Sequence, residues 1–221
     1  MGWRNRVSVG LLAMCSAASQ AAPAADVDVL VSYETRQVMA NGVTRSEAWS
    51  ERLIRRGDTV WSERVLPARA AEPAAESADH KHFDFDRAAR LLTRDAKGEL
   101  QLRFVDRTHR VVVSVPKAEY GAVGFDGRWD AAASIVPAAV AERMTPAPGA
   151  AGGAGWRVEK AKGWSHRVLW SPAQQLALRI ESQRDDGSTR RVVSVVPVAP
   201  GALPWSGLAA YEQKEYDDFM D

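Results

Sequence analysis

Residues 80–86 read His80-Lys81-His82-Phe83-Asp84-Phe85-Asp86. In an extended chain successive side chains alternate between two faces, so His80, His82, Asp84 and Asp86 share one face. Two imidazoles and a carboxylate are ligands for zinc or copper. Phe83 and Phe85 take the opposite face, so an amphipathic strand with its polar side in water explains the same pattern. His166 lies between Trp164 and Val168 on an apolar-looking face. There it fits either a buried, hydrogen-bonded histidine or a pocket acid that senses pH. His109 falls in a turn. The sequence contains no Gly-x-Ser-x-Gly elbow, P-loop, His-Glu-x-x-His or dinucleotide fingerprint. Gly152-Gly153-Ala154-Gly155 follows Pro and Ala residues rather than a strand, which makes it a loop and not a phosphate cradle. The reading is a non-enzymatic protein with no catalytic residue, no cofactor and no metal site. A metal-binding protein using His80 and His82 is an alternative.

The eight tryptophans are the other chemical signal. Trp49, Trp61, Trp164 and Trp170 fall on predicted strands. With Phe104 and His166 they are the candidate ligand-binding residues, because aromatic walls on a curved sheet suit an apolar guest. The competing reading has them filling the core or capping strand edges. Trp205, after Pro204, pins the C-terminal segment. A balance of 29 Lys+Arg against 28 Asp+Glu gives a net charge of +1, which argues against recruitment by nucleic acid or an anionic membrane. A single Cys excludes a disulfide framework and a Cys-based zinc cluster.

Strands must position these side chains. Val27, Val29, Val31 and Tyr33 alternate with Asp28, Leu30, Ser32 and Glu34, the period of a half-buried strand. Asn41-Gly42 marks a tight turn. Ser46–Arg55 and Thr59–Leu66 flank Arg56-Gly57-Asp58, which reads as a hairpin turn before it reads as an integrin-type motif. Leu100, Leu102 and Phe104 line one strand, and Val111, Val113 and Val115 the next. Trp164, His166, Val168 and Trp170 share one side of a strand, as do Leu176, Leu178 and Ile180. Arg191–Val198 is rich in valine. Asp95–Gly98 and Asp185–Ser188 are turns. Pro137–Met144 fits a short helix, and Gly207–Phe219 fits a C-terminal helix with Leu208, Tyr211, Glu215 and Phe219 along one side. The Ala/Glu/Pro-rich 67–79 and the Ala/Gly/Pro-rich 145–155 read as surface loops and, with 137–144, as candidate lids.

The first residues read as an address. Arg4 and Arg6 precede a short, mostly apolar run from Val7 to Ala18, and Ser19-Gln20-Ala21 places small residues where a signal peptidase cuts. The run is too short to span a bilayer, so the expectation is a secretory leader at 1–21, an exported protein of the bacterial periplasm, and no integral membrane segment. Leu12-Ala13-Met14-Cys15 partly resembles a lipobox, with Met14 where a small residue is usual, against the plain reading of a cysteine within the leader. Residues 22–221 are expected to form one mostly β domain.

The stretch 168–198 resembles the late hairpin of the periplasmic LolA/RseB-like superfamily. Val168-Leu169-Trp170 gives the aromatic-ended strand and Ser171–Gln175 a short turn. Leu176-Ala177-Leu178-Arg179-Ile180 gives the next strand. Asp185-Asp186-Gly187 and the final strand Thr189–Val198 complete it. Tyr33, Glu51 and Arg52, and the strand from Arg56-Gly57-Asp58 to Pro67, are similar to the RseB side of the group. The resemblance implies an open antiparallel half-barrel with an apolar concave face, partly closed by helices. It also implies a carrier or envelope sensor whose partner is a lipid or a lipoprotein acyl chain. A protein–protein interaction module of the cell envelope, pairing through an open sheet edge, is the alternative.

Overall fold

A computed structural model of the chain describes residues 24–66 and 83–219. The expected leader at 1–21, the loop expected at 67–79, and His80 and His82 lie outside the described residues. β1 (Val27–Val38) buries Val27, Val29 and Val31 on one face, as its alternation predicts. Asp28 on the other face is buried too, because Arg52 donates Nε and Nη2 to its two carboxylate oxygens at 3.1 and 2.8 Å. The hairpin to β2 (Thr44–Arg56) turns at Gly42, φ 81°. The Arg56-Gly57-Asp58 turn leads to β3 (Thr59–Val65), with Gly57 at φ 50° and Asp58 paired to Arg94 at 2.6 Å.

β4 (Ala89–Arg94), β5 (Leu100–Asp106) and β6 (Val111–Val115) continue the meander. Two short helices follow, α1 (Trp129–Ser134) and α2 (Ala138–Arg143). Then come β7 (Thr145–Ala151), β8 (Ala154–Ala161), β9 (Trp164–Ser171), β10 (Leu176–Arg184), β11 (Thr189–Pro197) and β12 (Glu212–Glu215). These strands form one open, curved sheet in the order β12-β6-β5-β4-β3-β2-β1-β11-β10-β9-β8-β7. Neighbours are antiparallel, apart from the parallel pair β12–β6.

The sheet has a helical face and a strap face. On the helical face, segment 116–144 covers the sheet at the end where β1 begins. Tyr120, Phe125 and Ala133 pack on Val60, Leu92, Leu102, Phe104 and Val113. Ile135 links the cluster around Val29 and Val31 to the cluster in which Ala141 and Met144 meet Val168 and Trp170. On the strap face, Trp205, Leu208 and Tyr211 cover Ile54, Trp61, Leu91, Val105 and Val112.

Four expectations are corrected. The C-terminal helix is absent. Leu208–Ala210 is a 3-10 turn, Glu212–Glu215 is a strand on the edge of β6, and Tyr216–Phe219 is another 3-10 turn. Leu208 and Tyr211 serve the strap face while Tyr216 and Phe219 serve the helical face, and the stripe of one helix cannot reach both sides of a sheet. The sheet is therefore mixed rather than purely antiparallel. The stretch 145–155 is the β7–β8 hairpin rather than a loop. Gly152 and Gly153, at φ 57° and 79°, make its two-residue turn, and Pro is tolerated because β7 is an edge strand. Residues 83–86 do not continue a strand. Asp84 Oδ1 accepts the backbone N–H groups of Asp86 and Arg87 at 3.1 and 3.0 Å, closing a turn. Phe83 and Phe85 still face inward, onto Phe219, Phe104 and Tyr216. The helix expected at 137–144 is present as α2, with Pro137 as its N-cap.

Candidate functional site

Among the described residues, the helical cover ends partway along the strands. Beyond Val31 the same face carries a cross-strand row Trp49–Tyr33–Val193–Ile180–Val168. The next row outward is Glu47–Thr35–Arg191–Ser182–His166. From β2 to β9 is four interstrand steps, about 19 Å at the usual spacing. Val193 and Ile180, half-buried, form an apolar floor.

An aromatic pair stands at each side. Tyr33 and Trp49 stack with centroids 3.9 Å apart, and the Arg64 guanidinium lies 5.4 Å from the Trp49 ring. Trp164 and His166 stack at 6.0 Å, with Arg184 and Arg191 at 5.6 and 5.4 Å from the Trp164 ring. The Tyr33 hydroxyl donates to Glu51 Oε1 at 2.6 Å. Burial, then the adjacent Glu51 carboxylate, pushes the phenol well above its ordinary range. His166 Nδ1 sits 2.8 Å from Ser182 Oγ. That distance suits a nucleophile–base pair, but among the described residues no carboxylate bonds to His166. The pair acts as a polar lock that fixes the stacked imidazole.

The six residues singled out in the sequence do not share one cavity. Trp61, on the strap face, is fully buried between Leu91 and Trp205. Phe104 and Trp170, at 4% and 3% exposure, belong to two separate core clusters under the helical cover. These three are core, with no surface left for a guest. Alternation puts a residue on a face but does not say how far along the strand that face is covered. Trp49, 39% exposed, and the half-buried Trp164 and His166 flank the uncovered floor. The structure adds Tyr33, directly across from Trp49, Ser182, directly across from His166, and Arg64 and Arg191, which lie over the Trp49 and Trp164 rings without facing an aromatic in register, so for the two arginines the sequence carried no signal. The 137–144 helix packs down as part of the cover, with Ala141 fully buried against Val168 and Trp170. Among the described residues no group of three or more His, Cys, Asp or Glu is placed to hold a metal ion. No described helix is long and apolar enough to cross a membrane.

No protein-family model matches the chain, and no curated protein matches it in sequence. Solved structures with similarity to it include three of low identity. PNGF-II shows a TM-score of 0.38 and 11% identity over 88% of this chain, which spans 32% of that protein. A putative outer membrane lipoprotein-sorting protein domain from Vibrio parahaemolyticus shows a TM-score of 0.33 and 10% identity, covering 83% of this chain and 90% of that one. A LolA superfamily protein from Nitrosomonas europaea shows a TM-score of 0.29 and 8% identity, covering 80% and 88%.

Proposed function

We propose that this chain is an exported, non-catalytic binding protein of the bacterial periplasm that holds the acyl chain of a lipid or lipoprotein, as a carrier or envelope sensor. The observation that carries this reading is the uncovered apolar floor of Val193 and Ile180 between the Tyr33/Trp49 and Trp164/His166 stacks. An acyl chain laid across the strands meets aromatic surface at both ends and aliphatic surface between. Arg64, Arg184 and Arg191 border the aromatic pairs and suit an anionic or ester head group. Each methylene removed from water contributes about 0.8 kcal/mol, so eight offer roughly 6 kcal/mol before ordering costs. That is a moderate affinity, appropriate to a cargo that has to leave. The sequence pattern of residues 1–21, read as a secretory leader, supports the periplasmic part of the reading.

A fluorescent fatty-acid probe titrated into the purified protein tests it. Trp49→Ala and Trp164→Ala are each expected to weaken binding by about tenfold, the effect of losing one aromatic wall. Unchanged probe binding in both variants, with folding intact by circular dichroism, removes this site.

A further inference from the structure

On the strap face, a cleft of about 500 Å³ lies between the sheet and the C-terminal segment. Its floor is set by strand pairing: Thr59 faces Thr93 across β3–β4, and Leu91 faces Arg103 across β4–β5. Trp205 and Leu208 supply the opposite wall. Arg103 Nε is buried and has no hydrogen-bond partner among the described residues. Guanidinium donors are strongly hydrated or paired in native proteins, and a buried one without a partner marks a place for a water, ion or ligand. Among the described residues no acidic side chain lines the cleft. Asp58, next to Thr59, pairs with Arg94 at 2.6 Å, and Glu63 pairs with Arg107 at 3.2 Å. Gln213 donates its amide to the Leu208 and Tyr211 carbonyls, which fixes the rim.

We infer that this cleft is a second binding site, for a small organic oxyanion with an apolar body. Arg103 receives the anionic group, as a guanidinium fork matches carboxylate and phosphate oxygens, and the Thr59 and Thr93 hydroxyls line the same floor. Leu91, Leu208 and Trp205 take the apolar part. The site is separate from the aromatic floor, because it lies on the other face of the sheet.

Calorimetric titration with benzoate, phenyl phosphate and neutral benzamide tests it. The two anions are expected to bind and to raise the melting temperature, and benzamide is not. The stronger of the two anions identifies the head group. Arg103→Gln is expected to weaken the anions by about tenfold or more, the size of one lost charge-assisted hydrogen bond, and Arg103→Lys to restore part of it. Trp49→Ala and Trp164→Ala should leave the two anions unaffected, and Arg103→Gln should leave binding of the uncharged methyl ester of the fatty-acid probe unaffected, so either site can fail alone. Absence of anion binding to the unaltered protein, equal binding of benzamide, or equal anion affinity in a folded Arg103→Gln variant overturns the inference.

Discussion

Arg55 is fully buried on the helical face, and among the described residues its hydrogen bonds go to carbonyls, none to a carboxylate. Its guanidinium donates to the carbonyl of Ala25 at 2.7 Å and also to those of Ala133, Gln174 and Gln175. One side chain thus joins the approach to β1, the end of α1 and the β9–β10 turn. Burial lowers its pKa, yet the carbonyl fork keeps the charge useful. Arg55→Met leaves those carbonyls unsatisfied, and the expected loss is about 3 kcal/mol by urea unfolding. Tyr33 carries a pH signature. Its folded pKa lies above the unfolded value near 10.0, because of burial and Glu51. The unfolded chain therefore releases this proton first as pH rises. The stabilisation is complete below that value and is lost as pH climbs beyond it toward the folded pKa. Urea midpoints of the unaltered protein should fall above about pH 10, and Tyr33→Phe should flatten that fall. Tyr120, also raised by burial, retains part of the slope.

At the scale of elements, the C-terminal segment shows how one stretch can hold two faces. It lays Leu208 on the strap face, pairs β12 with β6, then sets Tyr216 against Phe85 on the helical face. Leu208→Ala and Tyr216→Ala each remove a buried side chain and should cost about 2–3 kcal/mol. The sheet separates them, so the double variant should show additive losses within about 0.5 kcal/mol in a denaturant double-mutant cycle. A larger coupling energy would mean the two turns dock as one unit. The same segment marks what a sequence can reveal. β1, β2, β3, β5, β6, β9, β10 and β11 were legible because one face is drier than the other or because Gly-bearing turns bracket them. β4 was not, since Ala89, Leu91 and Leu92 are buried on both faces and the alternation disappears. β7 was hidden by Pro and Gly, which are compatible with a strand only at an edge. β12 gains its strand form from β6, not from its own charged residues. For the site, the exposed tryptophans were legible by type. Arg55 and Arg103 were not, because a charged residue within a strand reads as its wet side until a covering segment is placed over it.

The described strands form a sheet that does not close, with β12 and β7 at its two edges, and a free edge could template pairing with another chain. Both are blunted. β12 is four residues long, and three of them, Glu212, Lys214 and Glu215, are charged. β7 carries Pro146 and Pro148, which remove two backbone donors, and Gly149 at φ 98° interrupts the extended path. Strand addition to a partner, the interaction mode considered from the sequence, therefore meets poor templates at both ends. The proposed recognition surface is instead the end of the helical face that no described residue covers, bordered by the β1–β2 hairpin tip where Val38, Met39 and Val43 are exposed. Removing the two β7 prolines should expose this edge. Pro146→Thr/Pro148→Thr restores two outward N–H groups with a strand-favouring side chain, while the β7–β8 ladder, which pairs Thr145 with Val158 and Ala147 with Trp156, is left in place. In sedimentation velocity the double variant should show concentration-dependent self-association where the unaltered protein shows none. Proline at those positions is then a guard on the edge. Equal sedimentation of the two proteins would assign the protection of β7 to the bend at Gly149, and Gly149→Ala, strained at that φ, would be the next edge to measure.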